Sequence, residues 1–380
     1  MEVPHEKKAV LALMQKLSSG RAFVSMPVTP LTPKWFWEHP AVSDAKTKEG
    51  VERRHGILKF DECALSPFDH GGLYGDGVFE GILIKHEQVY KLRDHLERLE
   101  RSARGIGLEL PYSKSQFASH LIETAREAGI TSKQTAYVRL VVTRGIGNLG
   151  IDPRKCLAPT VYIIVSEIAL YPKKNYQTGI HLSVAKNVRR PDKSVLDPTV
   201  KSLNYLNNIQ AVREGVIDNP DKTVMEVLEL THRGYVAEAS ADNLFIVDKS
   251  GKKPVLLTAA DDYALEGITR ASIISWAKKS GIEVVKSSTL LPEDLLGNKE
   301  VFLTGTAAGV IPVVKFDGKK IGTGRPGPMT KRFMAMHAKD QKNPRSGLSL
   351  KASKHQISSY LSSRLLLPHQ RAHAPQSDPP

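Results

Sequence analysis

One lysine stands at the start of an apolar segment, where most lysines of a soluble protein would be out of place. Lys201 is followed by Leu203, Tyr205 and Leu206 in the sequence TVKSLNYLNNIQ. A lysine held away from water gives up its proton more easily, and its neutral amine can form a Schiff base with an aldehyde. Lys201 is therefore a candidate nucleophile, and a solvated surface charge is the alternative interpretation.

An acid lies between two strand-like runs in the sequence VAEASADNLFIV. Glu238 ends the first run, and a tight polar turn separates it from the second. A carboxylate in this place could hold a buried cation such as a protonated pyridine nitrogen, which makes the ring an electron sink for a carbanion. The alternative is an exposed acid in an ordinary hairpin.

Two segments have the composition of phosphate-binding sites. Gly267, Ile268 and Thr269 begin an apolar helix in LEGITRASIISWAKKSG, and a helix N-terminus offers free N–H groups and a favourable dipole. The small residues of FLTGTAAGVIP, from Gly305 to Ala308, would let backbone N–H groups approach an anion. A helix start without a ligand and a plain strand–turn–strand are the alternatives.

Two glycine-rich patterns lead to different conclusions. In DHGGLYGDGVFEGILI, glycines surround Tyr74 and Phe79, which indicates close backbone approach, with a simple turn as the alternative. GTGRPG has the spacing of a dinucleotide-binding motif. However, Pro326 and Pro328 interrupt it, and no strand–helix–strand unit surrounds it. We therefore do not expect a nucleotide there.

The candidate residues need secondary-structure elements to position them, and local patterns predict such elements. Helices are predicted over 95–106, with Asp94 as the cap, over 115–128, and in LNNIQAVREGVI and RASIISWAKKSG. Strands are predicted in TAYVRLVVTRG, PTVYIIVSEI, HLSVAKNVRR, VMEVLELT, YVAEA, NLFIVD, IEVVKSS, EVFLTG and VIPVVKFDG. Both halves mix helices and strands, so the predicted fold class is α/β (mixed α+β).

Composition shifts along the chain predict its domain organisation. Residues 1–50 are Pro-rich without a period and predict an irregular N-terminal arm, with regular structure beginning near Gly56. A small domain is expected over 51–170, a linker over 171–178 and a large cofactor-binding domain over 179–337. The Ser/Pro/basic segment 338–380 predicts a disordered tail.

Composition excludes several classes of protein. The chain of 380 residues is 41% hydrophobic and 25% charged, without the apolar run of roughly 20 residues that spans a membrane. Its first residues resemble neither a signal peptide nor a transit peptide, so a cytoplasmic location is expected. Cys63 and Cys156 form no CxxC pair, which argues against a disulfide framework or a metal site. The net charge of +14 is scattered, which suits small anions better than nucleic acid.

Seven motifs in order resemble one known family, the fold-type IV pyridoxal-phosphate enzymes. These include branched-chain aminotransferases, D-amino-acid aminotransferases and aminodeoxychorismate lyases. The resemblance covers about residues 56–336 and is carried by DHGGLYGDGVFEGI, HLERLERSA, YVRLVVTRG, VKSLNYLNN, VAEASADNLF, LEGITR and FLTGTAAGVIPV. It implies two domains, each a sheet or barrel with flanking helices.

The resemblance also implies roles for residues at matching positions. Lys201 matches the Schiff-base lysine that moves a proton at the substrate Cα, Glu238 the acid at the pyridine nitrogen, and Tyr205 a hydrogen-bond partner of the cofactor phenolate. The implied phosphate contacts are Arg98, Gly267, Ile268, Thr269 and Thr306. The implied substrate contacts are Tyr74, Phe79, Tyr137, Arg139, Ala307 and Ala308.

The activity that the resemblance implies is transamination. A branched-chain L-amino acid and 2-oxoglutarate would give a branched 2-oxo acid and L-glutamate, with pyridoxal phosphate as cofactor, in a homodimer or larger homo-oligomer. Metal, membrane and nucleic acid are not expected to take part. The enzyme alternatives are a D-amino-acid or amine transaminase and an aminodeoxychorismate lyase. The non-enzyme alternative is nucleic-acid or partner binding through the basic arms.

Overall fold

A computed structural model describes residues 20–45, 51–167 and 171–363 of the chain. The strands are β1 (Arg21–Pro27), β2 (Val42–Ala45), β3 (Arg53–Lys59), β4 (Gly77–Lys85), β5 (Gln88–Tyr90), β6 (Ala136–Thr143), β7 (Thr160–Glu167), β8 (Ile180–Arg189), β9 (Val224–Leu230), β10 (Val236–Ala239), β11 (Asn243–Asp248), β12 (Val255–Ala259), β13 (Glu283–Ser287), β14 (Lys299–Gly305), β15 (Gly309–Phe316), β16 (Lys319–Lys320) and β17 (Gly347–Ser349). The helices are α1 (Lys34–Glu38), α2 (His70–Tyr74), α3 (Leu92–Gly105), α4 (Lys114–Glu127), α5 (Lys173–Thr178), α6 (Leu206–Val212), α7 (Ile268–Lys279), α8 (Pro328–Asp340) and α9 (Lys354–Ser362).

The first sheet contains eight antiparallel strands in the order β17-β5-β4-β6-β7-β1-β3-β2. Successive residues of a strand point to opposite faces, so the apolar residues of one face can form a continuous layer. Val138 and Leu140 of β6 lie in such a layer, in one core cluster with Leu96 of α3 and Leu121 of α4. Both helices therefore cover the same face of the sheet.

The second sheet is mixed, with the order β10-β9-β8-β15-β14-β11-β12-β13, and β16 pairs with β15 outside this path. The pairs β8–β9, β8–β15 and β12–β13 are parallel. Phe245 and Phe302 of this sheet pack in one cluster with Ile273 of α7 and Phe333 of α8. This packing fixes the N-terminus of α7 against the sheet.

The predicted helices are present, with shifted boundaries. Helix α3 begins at Leu92 with Lys91 as its N-cap residue, so the prediction that Asp94 caps it is wrong. Asp94 instead lies in the first turn, where its charge interacts favourably with the helix dipole. The helix predicted in LNNIQAVREGVI consists of α6 and a π-helical turn, Arg213–Ile217.

The prediction of an irregular arm over 1–50 is wrong for the residues before position 46 that the structure describes. Strand β1 lies between β7 and β3 inside the first sheet, and Phe23 is only 2% exposed. Of the prolines that suggested an arm, Pro27 is the last residue of β1, and Pro33 is the N-cap residue of α1. The pairing of β1 on both edges comes from distant strands, which a local pattern does not reveal. Residues 1–19 and 46–50 lie outside the described residues.

The prediction of a disordered tail is also wrong, over residues 338–363. Strand β17 pairs with β5, and α9 packs against α4 with Ile357 buried. Arg126 of α4 donates hydrogen bonds to the carbonyls of Leu350 and Ala352. These elements are too short to show a period, and contacts with the first sheet order them. Residues 364–380 lie outside the described part of the chain.

The chain passes from the first sheet to the second between β7 and β8. The segment 171–178, predicted as a linker, contains α5, and the Tyr176 hydroxyl donates to the Ala308 carbonyl at 2.9 Å. Among the described residues, no helix has the length and apolar character of a membrane span, and no group of His, Cys, Asp and Glu could hold a metal ion.

Candidate active site

The free face of the first sheet carries the candidate substrate residues. The register of β4 and β6 pairs Gly81 with Arg139 and Glu80 with Leu140. Alternation then places Phe79 and Arg139 on one face, while Glu80 and Leu140 lie on the face that α3 and α4 cover. The Arg139 guanidinium lies 4.5 Å from the centroid of the Phe79 ring.

Lys201 lies at the edge of this face, where its segment crosses β4. The Phe79 N–H donates to the Lys201 carbonyl, and the Lys201 N–H donates to the Ser102 hydroxyl, both at 3.0 Å. The Lys201 Nζ is 3.0 Å from the Tyr205 hydroxyl and 4.5 Å from the centroid of the Phe79 ring. A half-buried primary amine is thus held between a phenol and a phenyl ring.

Glu238 is a buried carboxylate with three partners. Its Oε1 accepts from Arg190 Nη2 at 2.6 Å, and its Oε2 accepts from Asn243 Nδ2 at 2.9 Å and from the Leu265 N–H at 3.1 Å. The side chain lies at the end of β10 and is 5% exposed. These three contacts fix its position.

Further acids surround Glu238. Glu229 is its cross-strand partner on β9 and is fully buried, and Asp242 is 3% exposed. Burial raises the pKa of Glu229 to about 7. Burial, with repulsion from Glu226 and Glu238, raises the pKa of Asp242 to about 8. Arg190 is the cation that pairs with Glu238 within the described structure, so this region favours a further positive group.

The N-terminus of α7 forms a candidate phosphate site. The helix begins at Ile268 with Gly267 as N-cap residue, and N–H groups of a first helical turn have no partners within the helix. The Thr269 hydroxyl donates to the Gly305 carbonyl at 3.2 Å, which holds the turn containing Thr306 beside the helix start. Arg98 Nη1 donates to the Glu266 carbonyl at 2.9 Å, directly before the N-cap residue.

Arg98 is itself buried and paired. Its Nε and Nη2 donate to the two Glu80 oxygens, each at 2.8 Å, and His95 Nδ1 lies 2.7 Å from Glu80 Oε2. Burial alone would raise the pKa of Glu80, but the charge and hydrogen bonds of Arg98, with the His95 contact, lower it to about 2. Glu80 therefore remains a carboxylate at all ordinary pH values.

Cavities that hold small ligands measure roughly 300 to 1,000 Å³. One of about 700 Å³ opens on the free face of the first sheet. Its lining is mostly apolar and includes Val24, Leu65, Tyr137, Arg139 and Ile164. The Tyr137 hydroxyl occupies the space above Gly81, because a Cβ there would lie 1.7 Å from it. Burial raises the pKa of Tyr137, so its hydroxyl stays protonated.

Three predicted substrate contacts, Tyr74, Ala307 and Ala308, lie elsewhere in the described chain. Tyr74 of α2 is 36% exposed, is absent from the cavity lining and donates its hydroxyl to the Leu149 carbonyl. Ala307 and Ala308 border a second cavity of about 360 Å³ between the sheets, together with Tyr171 and Tyr176. The predicted roles of these residues stay predictions.

The structure thus brings Lys201, Tyr205, Phe79, Tyr137 and Arg139 together through the contacts above. It also places Arg98 beside the start of α7, and the turn with Thr306 beside Thr269. The sequence-based prediction missed Arg190, Asn243, Ser102 and Glu80. An acid at position 80, inside the apolar run GVFEGILI, was a signal that could have revealed Glu80.

Comparison with known proteins gives the class of the molecule. Residues 77–316 match the family model described as amino-transferase class IV. A provisionally named branched-chain-amino-acid aminotransferase of Methanocaldococcus jannaschii is 40% identical over 274 residues, which cover 72% of this chain and 89% of that relative. The chain therefore belongs to the class IV aminotransferase family, and the predicted fold class and enzyme class are confirmed.

Two further similarities bear on the substrate. The D-alanine aminotransferase of Bacillus licheniformis is 31% identical over 276 residues, covering 72% of this chain and 91% of that relative. The crystal structure of the T.th. branched-chain amino acid aminotransferase with pyridoxamine 5′-phosphate superimposes with a TM-score of 0.68 at 29% identity. That superposition covers 75% of this chain and 92% of the other.

Proposed function

We propose that the protein transfers the amino group of a branched-chain L-amino acid to 2-oxoglutarate with pyridoxal phosphate as cofactor. The products are a branched 2-oxo acid and L-glutamate. The observation that carries the proposal is the Lys201 amine, 3.0 Å from the Tyr205 hydroxyl, at the edge of a sheet face with a mostly apolar cavity. Similarity to branched-chain aminotransferases supports it.

The residues present fit pyridoxal phosphate in three chemically different ways. Lys201 offers a primary amine for the aldehyde. Glu238, in a region with an excess of buried acids, offers a carboxylate for a protonated ring nitrogen. The first turn of α7, with Arg98 beside it, offers N–H donors for a phosphate. Gly267, Ile268, Thr269 and Thr306 would complete this phosphate site.

Each residue then has a defined part in the reaction. The cofactor, when bound, supplies the electron sink that stabilises a carbanion at the substrate Cα. Lys201 Nζ would take the proton from the substrate Cα and hold it as the general acid and base of the reaction. The Tyr205 hydroxyl, which accepts from Nζ, keeps the amine in position. Arg190 and Asn243 hold the Glu238 carboxylate in place.

The cavity accounts for both substrates. Its apolar lining suits a branched aliphatic side chain, which gains free energy by leaving water. Arg139, the charged residue of that lining, would bind the second carboxylate of 2-oxoglutarate and glutamate. Phe79 and Tyr137 flank its guanidinium at 4.5 and 5.7 Å and would limit its movement.

A donor panel tests this function. We expect L-glutamate from L-leucine, L-valine or L-isoleucine with 2-oxoglutarate, and none with Lys201→Ala. Lys193→Ala, at an exposed lysine, serves as the matched control. Preference for D-alanine or D-leucine would replace the proposal with a D-amino-acid aminotransferase, which the similarity to the Bacillus enzyme makes the second candidate.

We also propose a homodimer, while the cytoplasmic location stays a prediction. Leu149 and Ile151 are 70% and 81% exposed on a loop that Tyr74 joins to α2. Clustered exposed apolar side chains mark interaction surfaces, and a second copy of the chain is the partner we expect. Light scattering should show a dimer that Ile151→Asp disrupts, while Leu291→Asp, at an exposed leucine elsewhere, leaves it intact. A monomeric wild-type protein would contradict the proposal.

A further inference from the structure

Helix α3 packs against the first sheet, yet it contacts both the phosphate end and the lysine end of the candidate cofactor site. Arg98 donates to the Glu266 carbonyl at 2.9 Å, before the phosphate-binding turn of α7. Ser102 accepts from the backbone N–H of Lys201 at 3.0 Å. Residues four apart lie on the same face of a helix, so one face of α3 sets the spacing between the lysine and the phosphate site.

The phosphate end of this arrangement depends on Glu80. Arg98 is 3% exposed, and its two charge-assisted bonds to Glu80 hold the guanidinium in one plane. His95, 1% exposed, fixes the second Glu80 oxygen from the other side. Without the Glu80 carboxylate, the buried charge of Arg98 would have no full partner, and its guanidinium would lose two of the three hydrogen bonds that fix it beside Glu266.

The lysine end depends on Ser102. Its hydroxyl is the acceptor for the Lys201 N–H, and the Ser102 side chain is buried. One turn further along α3, a Cβ on Gly105 would lie 2.6 Å from Val200 Cγ2, so the helix and the lysine segment are in close contact. The backbone that carries the Lys201 amine is therefore held against α3 at two adjacent residues.

We propose that α3 positions the two ends of the cofactor site separately, Glu80 acting through Arg98 on the phosphate end and Ser102 on the lysine end. Glu80, His95 and Ser102 are positioning residues, because they act through other residues. The inference rests on the proposed function and goes further by assigning the two ends to different side chains.

Binding of pyridoxal phosphate and of phosphate-free pyridoxal to the apoprotein distinguishes the two ends. Absorbance titration of Glu80→Gln should show a loss of pyridoxal-phosphate affinity of about tenfold or more, because a charged hydrogen-bonded pair is lost. Its pyridoxal affinity should stay within about twofold of wild type. Ser102→Ala should weaken both ligands in parallel, since the lysine attaches either one.

Two controls keep the test decisive if Glu80→Gln unfolds. His95→Asn can keep the hydrogen bond to Glu80 and should bind normally, whereas His95→Leu cannot and should lose pyridoxal-phosphate affinity selectively. Arg101→Ala removes a partly exposed contact of α3 with the Glu266 side chain at 3.3 Å and should leave both affinities unchanged. Thermal unfolding of each apoprotein shows whether the variant is still folded.

Three outcomes overturn the proposal. These are equal losses of affinity for both ligands in Glu80→Gln or His95→Leu, no loss in Glu80→Gln, His95→Leu and Ser102→Ala alike, or a loss confined to pyridoxal phosphate in Ser102→Ala. Failure of the proposed function looks different, because wild type would then bind neither ligand, or Lys201→Ala would bind both as wild type does.

Discussion

Carboxylates are buried in both sheets, but their surroundings differ. Glu80 in the first sheet has bidentate Arg98 and His95 as partners, and its pKa is lowered to about 2 although burial opposes this. In the second sheet, Glu229 and Asp242 lie near Glu238, and burial raises the pKa of the first to about 7 and of the second to about 8. The residue types and the degree of burial are similar, and the number of cationic partners differs.

The surroundings of Glu80 are complete in the folded chain, whereas those of Glu238 would accept a further positive group, as the proposed function requires. Both oxygens of Glu80 have partners, Arg98 at one and Arg98 with His95 at the other, so the Glu80–Arg98 pair serves as a rigid support. In the second, Arg190 interacts with both Glu238 and Glu229, and Asp242 Oδ2 is buried without a hydrogen-bond partner among the described residues. An added positive charge, such as a protonated ring nitrogen, would improve this balance.

The largest expected effect comes from removing the shared cation of the second region. Arg190→Met should destabilise the protein by about 3 kcal/mol or more, because it leaves buried carboxylates without a partner. Urea denaturation measures the free energy of unfolding. Arg189→Met is the control, since that half-buried side chain donates to the backbone carbonyls of Ala185 and Val188 rather than to a carboxylate within the described part of the chain. Equal losses for the two variants would contradict the expectation.

The next effect separates Glu238, the acid that we propose to lie at the ring nitrogen, from its neighbour. Glu238→Gln should lower kcat by roughly 100-fold, because an amide supports a ring cation poorly. Glu229→Gln, on the cross-strand partner, should change kcat by no more than about threefold. Steady-state kinetics with a branched-chain amino acid measures both. A reversed order would assign the ring contact to Glu229.

A smaller effect concerns the pH dependence of stability. The folded-state pKa of Asp242, about 8, lies above its ordinary value, so its favourable contribution exists at acidic pH and is lost as pH rises toward 8. Asp242→Asn should therefore reduce the fall in apoprotein stability between pH 5 and pH 8, by about 1 to 2 kcal/mol. Urea denaturation at both pH values measures this, and parallel curves would show that Asp242 is not protonated.

Glu80 should respond in the opposite direction. Its folded-state pKa of about 2 is lowered, so its contribution is present above its ordinary pKa and is lost as pH falls toward 2. Between pH 5 and pH 8 that contribution is constant, so wild type and Glu80→Gln should differ by a fixed amount over this range. A difference that changes between pH 5 and pH 8 would show that Glu80 lacks its ion pair.

The smallest effect is expected at a partly exposed ion pair between α3 and Glu266, the residue before the N-cap of α7. Arg101 and Glu266 side chains are 39% and 54% exposed at 3.3 Å. Arg101→Ala should change the free energy of unfolding by less than about 1 kcal/mol, because solvent screens such pairs. A loss comparable to that of Arg190→Met would remove the distinction between buried and exposed charge.

Much of the candidate site was predictable because its signals are local. An amine in the apolar segment after position 200, a helix start at Gly267 and an acid before a polar turn each lie within a short window. Strand and helix patterns depend on neighbours two to four residues away, so the mixed fold was also predictable. The functional roles of these residues stay predictions until the variants above are measured.

Only the tertiary structure decided which groups are partners. Glu80 of β4 meets Arg98 of α3, Arg190 meets Glu238 from the position directly after β8, and Ser102 of α3 meets Lys201 in the connection between β8 and β9. Strand β1 lies inside the first sheet because it pairs with distant strands. Strand β17 and helix α9 are likewise formed through contacts with distant strands and helices. Such contacts form only when the whole chain folds, so the sequence determined the reactive groups, and tertiary packing determined their support and charge balance.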